Sequence, residues 1–298
     1  MGDESVAAVA RQWFVRATAA VAISAAHTTA EAPLRCLRMV HGPAPSWEAL
    51  ADQAAESAKA RGGYRQLWRH NTWWVAFHAS QFAPTLLCTD AALRAVVDAS
   101  DGYFAGLAKS VAGASAGAAA ATLLLYPAQR VFERVWRPVP SLFPGGWRRE
   151  AAALGIAGLY TGATVGVARG VASFGVTYGV FGHAQARNPA RDDCGWVGLA
   201  SATAALVIAS TVSAPLAYPL NRAAVLHAVS QNERAAEAPA PLKSAWAVLR
   251  AHARAGTLWA GFLRAPLVPP AMLQLLLYDR AVCFLLAPVS TPAPTSVV

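Results

Sequence analysis

The sequence predicts an all-α membrane protein: six transmembrane helices in three tandem two-helix repeats, with short amphipathic helices on the surface. Three observations carry this. Pro33, Pro127 and Pro219 recur 94 and 92 residues apart, each closing a small-residue, apolar stretch; a fixed long period means one unit used repeatedly. Aromatic turns at Trp68, Tyr160 and Trp259 keep similar intervals of 92 and 99 residues. The chain is also 55% hydrophobic and only 14% charged, where a soluble domain carries about 25% charged residues. A mean hydropathy of +0.34 is modest for helices that meet only lipid. Helices with one face to lipid and one to a polar interior fit both numbers.

The repeats divide the chain at 1–100, 101–190 and 191–298. Each reads as a long helix, a surface segment and a second helix. The first helices are expected at 9–40, 103–135 and 195–229, the second at 71–98, 161–187 and 261–287. All are long enough to cross about 30 Å of hydrocarbon even when tilted. In the first repeat, Ser46 can cap an amphipathic stretch over 46–55, and Trp73 and Trp74 mark a membrane–water belt. In the second, Gly113 and Gly117 permit close helix approach, and a shorter surface stretch lies around Trp147. The third has its amphipathic stretch at 241–250, after a polar, Ala/Pro-rich surface loop at 230–242. The Pro/Ser/Thr-rich tail from Ala287 reads as extended. A proline inside a helix removes a backbone bond and kinks it; three equivalent kinks would draw the odd helices together at one end.

Charge gives orientation. The net charge is +9, and segments 35–71, 130–150 and 222–264 hold 6, 5 and 6 of the 25 Lys/Arg residues. Each begins just after a repeat proline, so two crossings per repeat put all three on one side. The positive-inside rule makes that the inner side, and a basic face suits anionic lipid. No basic helix or basic–aromatic patch points to nucleic acid. Cys36, Cys88, Cys194 and Cys283 are scattered, which indicates neither a zinc site nor a disulfide framework. His70, His78, His183 and Asp90 lack metal-ligand spacing. No catalytic motif is present, so neither an enzyme nor a cofactor is expected. The first residues read as neither a secretory signal nor an Arg-rich transit peptide, so targeting is expected to be internal.

Three two-helix repeats, a proline near the end of each odd helix and an aromatic turn before each even helix resemble the mitochondrial carrier family. The ADP/ATP carriers are the most similar branch. The run Gly158–Gly162 followed by Phe174–Phe181 is similar to their fourth helix, Leu67–Asn71 to the start of their second, and Leu277–Asp279 to their sixth. The resemblance implies a multi-pass protein of the mitochondrial inner membrane with its basic loops on the matrix side. It also implies exchange of a solute, adenine nucleotide in that branch, by alternating access. Cardiolipin is the implied bound lipid, at Asn71 and Thr72, Gly162 and Ala163, and Gly261 and Phe262, where helix N-termini offer free N–H groups. His70 stands where the first of these sites usually has glycine.

The departures from the family pattern carry the functional reading. Carriers place an acid two residues after each proline and a base three further on, forming a salt-bridge ring that closes the matrix end. This chain has Arg35 and Arg38, Gln129 and Phe132, and Asn221 and Ala224 at those positions: no acid in any repeat. The opposite gate keeps Asp90 and Asp279, but Leu93 and Val282 replace its bases and Gly182 and Gln185 replace the second repeat's pair. Arg94 and Arg280 lie close enough in sequence to pair with the two acids. Thr28 and Phe77 stand where substrate-binding cations belong, leaving Arg169 and Arg264 as possible substrate contacts. Alternating access needs two closures of comparable free energy. The expected function is therefore a transport-inactive, structural or accessory subunit of a larger inner-membrane complex, the respiratory chain or ATP synthase. The alternative is a working solute carrier.

Overall fold

The structure, a computed structural model, describes residues 3–41, 47–61, 63–64, 71–98, 100–135, 152, 155–235, 245–259, 262 and 270–286. Every regular element among them is helical. In chain order these are α1 (Asp3–His41), α2 (Trp47–Arg61), α3 (Asn71–Val96) and α4 (Tyr103–Val135). Then come α5 (Ala163–Gly170), a π-helical turn (Val171–Gly175) and α6 (Val176–Ala186), followed by α7 (Trp196–Ala235), α8 (Ala245–Arg254) and α9 (Pro270–Leu286). Among the described residues, two helices are long and apolar enough to cross a membrane: α4 over Tyr103–Val131 and α7 over Trp196–Ala223.

The element bounds differ from expectation in one place. Helix α7 continues to Ala235 through residues read as loop, because Gln231, Glu233, Arg234 and Ala235 are good helix formers. The last described helix covers Pro270–Leu286, and residues 263–269 lie outside the described residues. The surface stretch around Trp147, the turn at 67–70 and the tail after 286 lie outside the described residues.

Successive long helices pack side by side, and the last closes on the first: α1 on α3, α3 on α4, α4 on α5 and α6, α6 on α7, α7 on α9, and α9 on α1. Neighbours run antiparallel. Arg16 near the start of α1 reaches Asp90 near the end of α3, Gly117 of α4 meets Cys88 and Gly113 meets Ala92, and His27 of α1 meets Gln274 of α9. Helices α1, α4 and α7 thus begin at one end of the ring, and α3, α6 and α9 finish there.

Helix α4 is held by glycine on both flanks. A Cβ added at Gly117 would lie 2.6 Å from Cys88 O and from Thr89 Cα, so the α3 and α4 backbones touch only because position 117 has no side chain. On the other flank, Gly166, Gly170, Gly175 and Gly179 face α4 at Tyr126, Thr122, Ser115 and Val111. Their steps are four, five and four residues. In an unbroken α-helix the five-residue step would swing the next glycine about 100° too far round. The π turn at Val171–Gly175 absorbs the extra residue and keeps the stripe against α4.

Beside its apolar core the ring buries a set of polar side chains and leaves many large apolar ones on its surface. Ser24, Thr28, Thr89, Thr177, Ser210, Ser213 and Gln274 are buried. Phe14, Phe104, Leu124, Ile208, Val212, Leu216 and Phe284 are exposed, an apolar belt far beyond the scattered exposed leucines of a soluble monomer. Outside it, the α3–α4 connection is fastened by its own acids. Lys109 donates to Asp101 at 2.5 Å and holds that carboxyl below its ordinary value.

Candidate functional site

At the end where α1, α4 and α7 begin and α3, α6 and α9 finish, a cavity of about 430 Å³ opens between α1, α3, α6 and α9. It receives one polar group from each of the three helices that finish there: Asp90 from α3, Gln185 from α6 and Asp279 from α9. Arg16 of α1, Arg94 of α3, Tyr178 of α6, Tyr278 of α9 and Arg191 of the α6–α7 connection complete the polar lining. Both sequence-predicted gate acids therefore line one space.

Asp90 is buried and heavily partnered. Arg16 Nη1 lies 2.6 Å and Arg94 Nε 3.0 Å from its Oδ2, while Tyr178 donates to Oδ1 at 3.2 Å. Arg94, half exposed, comes from the next turn of the same helix, an i,i+4 pair. Arg16 is nine-tenths buried and crosses from α1. Tyr178 is fixed by stacking on Phe174 at 5.8 Å. The second acid is held differently. Arg280, the adjacent residue, reaches Asp279 Oδ2 with Nη2 at 2.6 Å and Nε at 3.0 Å, and Gln185 Nε2 donates to the same oxygen at 3.2 Å. Gln185 in turn accepts from Asn188 at 2.8 Å. Three arginines face two aspartates across the lining, so the cavity carries a positive bias with both carboxylates charge-paired.

Arg16 was not foreseen. Its separation of 74 residues from Asp90 defeats any local pattern. The available signal was its isolation, a single cation between Val15 and Ala17–Val21, since a buried cation needs a counter-charge.

The remaining predicted residues are spread over the ring. Pro33, Pro127 and Pro219 all lie inside helices, α1, α4 and α7. Counted along α1, Pro33 stands about 25 Å beyond Arg16, toward the opposite end. There Gln129 is half buried and Asn221 exposed, and the side chains of Arg35, Arg38, Phe132 and Ala224 lie outside the described residues. Asn71 and Thr72 open α3, with side chains likewise undescribed. Gly162 caps α5 in the left-handed region at φ 83°, and the buried Ala163 already donates its N–H to Tyr160 O at 3.0 Å. Phe262 N–H donates to Trp259 O at 3.0 Å; Gly261 and Arg264 are undescribed. Arg169, half buried on α5, lines no part of the cavity; its carbonyl accepts from Ser173.

Between the two ends, the described helices bury several hydroxyl and amide groups. Thr28 and Ser24 of α1 are fully buried, and Thr177 Oγ1 sits 2.7 Å from Ser213 Oγ across α6 and α7. Gln274 Nε2 lies 2.7 Å from His27 Nδ1. No group of three or more His, Cys, Asp or Glu among the described residues is arranged to hold a metal. Compared with known proteins, the chain matches no protein-family model and no curated protein.

Proposed function

We propose that this chain is a carrier-like helical ring of the mitochondrial inner membrane that does not transport, and that it serves as a structural subunit of a larger membrane complex such as the respiratory chain or ATP synthase. The observation that carries the reading is the loss of the charges that the resemblance expects at the two gates. At one end of the ring Asp90 and Asp279 remain and pair with Arg16, Arg94 and Arg280. At the other end no acid stands two residues after any repeat proline. A charge cluster at one end biases the two access states unequally, which favours a single settled conformation over a switching one. Thr28 agrees: it stands where the resemblance expects a cation, is fully buried and offers an anionic nucleotide no counter-charge. The six long segments of the ring would all be membrane spans with their basic connections toward the matrix, and cardiolipin phosphates the lipid partners of that face.

One observation favours the second reading, a working solute carrier. The cavity at the ionic end is open, about 430 Å³ in volume and positively biased, as an anion's port would be. Two measurements separate the readings. After extraction in mild detergent, the structural subunit comigrates with a large complex on a native gel; migration as a free monomer throughout sinks the proposal. Saturable exchange of labelled nucleotide or another solute in liposomes would establish the carrier instead.

A further inference from the structure

The connection between α6 and α7 folds back onto the end of α9 and brings two cysteines together. Arg280 on α9 donates from Nη1 to Asp193 O at 3.0 Å and from Nη2 to Arg191 O at 3.2 Å. Asp193 Oδ1 accepts from Gly195 N–H at 2.7 Å and Oδ2 from Gly198 N–H at 3.2 Å. Gly198 is essential to the fold-back, because a Cβ there would overlap Asp193 O at 1.6 Å. Asn188 ties the start of the connection to Ser201 at 2.8 Å. Within this fixed frame Cys194 and Cys283 share an acceptor: their sulfurs lie 3.8 and 3.9 Å from Asp192 O. Cys194 is exposed, Cys283 half buried, and both are free thiols.

We propose that Cys194 and Cys283 are a thiol pair that oxidises to a disulfide, a modification site that fastens the α6–α7 connection covalently to α9. The oxidant is a small-molecule or protein disulfide. Cys194, the exposed member, loses its proton to water, and its thiolate attacks one sulfur of the oxidant. The oxidant's S–S bond breaks, and the leaving thiolate takes up a proton. Cys283, deprotonated in turn, attacks Sγ of Cys194 in the mixed disulfide and expels the second thiolate. The protein loses two protons and two electrons, and the oxidant becomes two thiols. The bond would hold Arg191, which lines the cavity, in place over Asp279. The inference rests on the local geometry alone and holds whether or not the ring transports.

The test uses the full-length chain in mild detergent, treated with oxidised glutathione and read by intact mass and peptide mapping. The wild type loses two hydrogen masses and yields one linked peptide pair joining Cys194 to Cys283. A Cys36→Ser/Cys88→Ser double variant does the same. Cys283→Ser gives a glutathione adduct at Cys194 with no internal link, and Cys194→Ser gives no link at all. Wild-type chain with separate adducts on both cysteines, with both thiols unreacted, or with a link to Cys36 or Cys88 overturns the proposal.

Discussion

Asp90 is the residue at which three helices meet on one carboxylate, and its two arginines are not equivalent. Arg94 is half exposed and close in sequence, so its share of stability is about 0.3–0.5 kcal/mol. Arg16 is buried and has the Asp90 carboxylate as its counter-charge at 2.6 Å. Asp90→Asn strands that guanidinium and is expected to cost about 3–5 kcal/mol, read as a clear fall in thermal midpoint in detergent, whereas Arg94→Ala changes it little. Replacing the pair together, Arg16→Met with Asp90→Leu, is expected to recover most of the loss, since a buried ion pair exchanged for apolar groups is often neutral. A wild-type midpoint for Asp90→Asn would mean the carboxylate does not anchor α1. The local half of this cluster was legible: one helical turn separates Asp90 from Arg94, and Asp279 precedes Arg280. The half that supplies most of the energy was not, because it is a tertiary contact.

The helices adjoining α4 make the sharpest predictions at the level of elements. At Gly117 an added methyl meets the backbone of α3 at 2.6 Å, and no rotamer can relieve a backbone clash. Gly117→Ala is expected to cost about 1–3 kcal/mol, with Gly102→Ala, which has open space around it, as the neutral control. The π turn gives a test of a different kind. Deleting Val171 turns the five-residue glycine step into a four-residue one, so an ordinary α-helix now keeps Gly166, Gly170 and the former Gly175 and Gly179 on α4. That deletion is expected to fold, with its midpoint near that of the parent. Deleting Ala116 from α4 throws Gly113 and Gly117 out of phase and is expected to prevent folding. Loss of fold in the Val171 deletion would show that the turn does more than hold register. The Gly113–Gly117 spacing announced its contact in the sequence. The spacing on the partner was equally visible but had no meaning until α4 supplied the surface it had to follow.

Across the whole molecule, helix positions were legible because their boundaries are set locally, by caps, prolines and apolar runs. Closure of α9 on α1 was implied only by the resemblance, since contacts such as Gln274 to His27 span 247 residues. The exposed apolar belt has a consequence for every stability measurement above. Phe14, Phe104, Leu124 and Phe284 lie on the native surface, and whatever apolar medium coats them binds the folded ring in preference to the unfolded chain. The coat then acts as a thermodynamic ligand and shifts stability by mass action. A melting temperature of this protein belongs jointly to the chain and to the amphiphile around it, and two variants compare only inside the same coat.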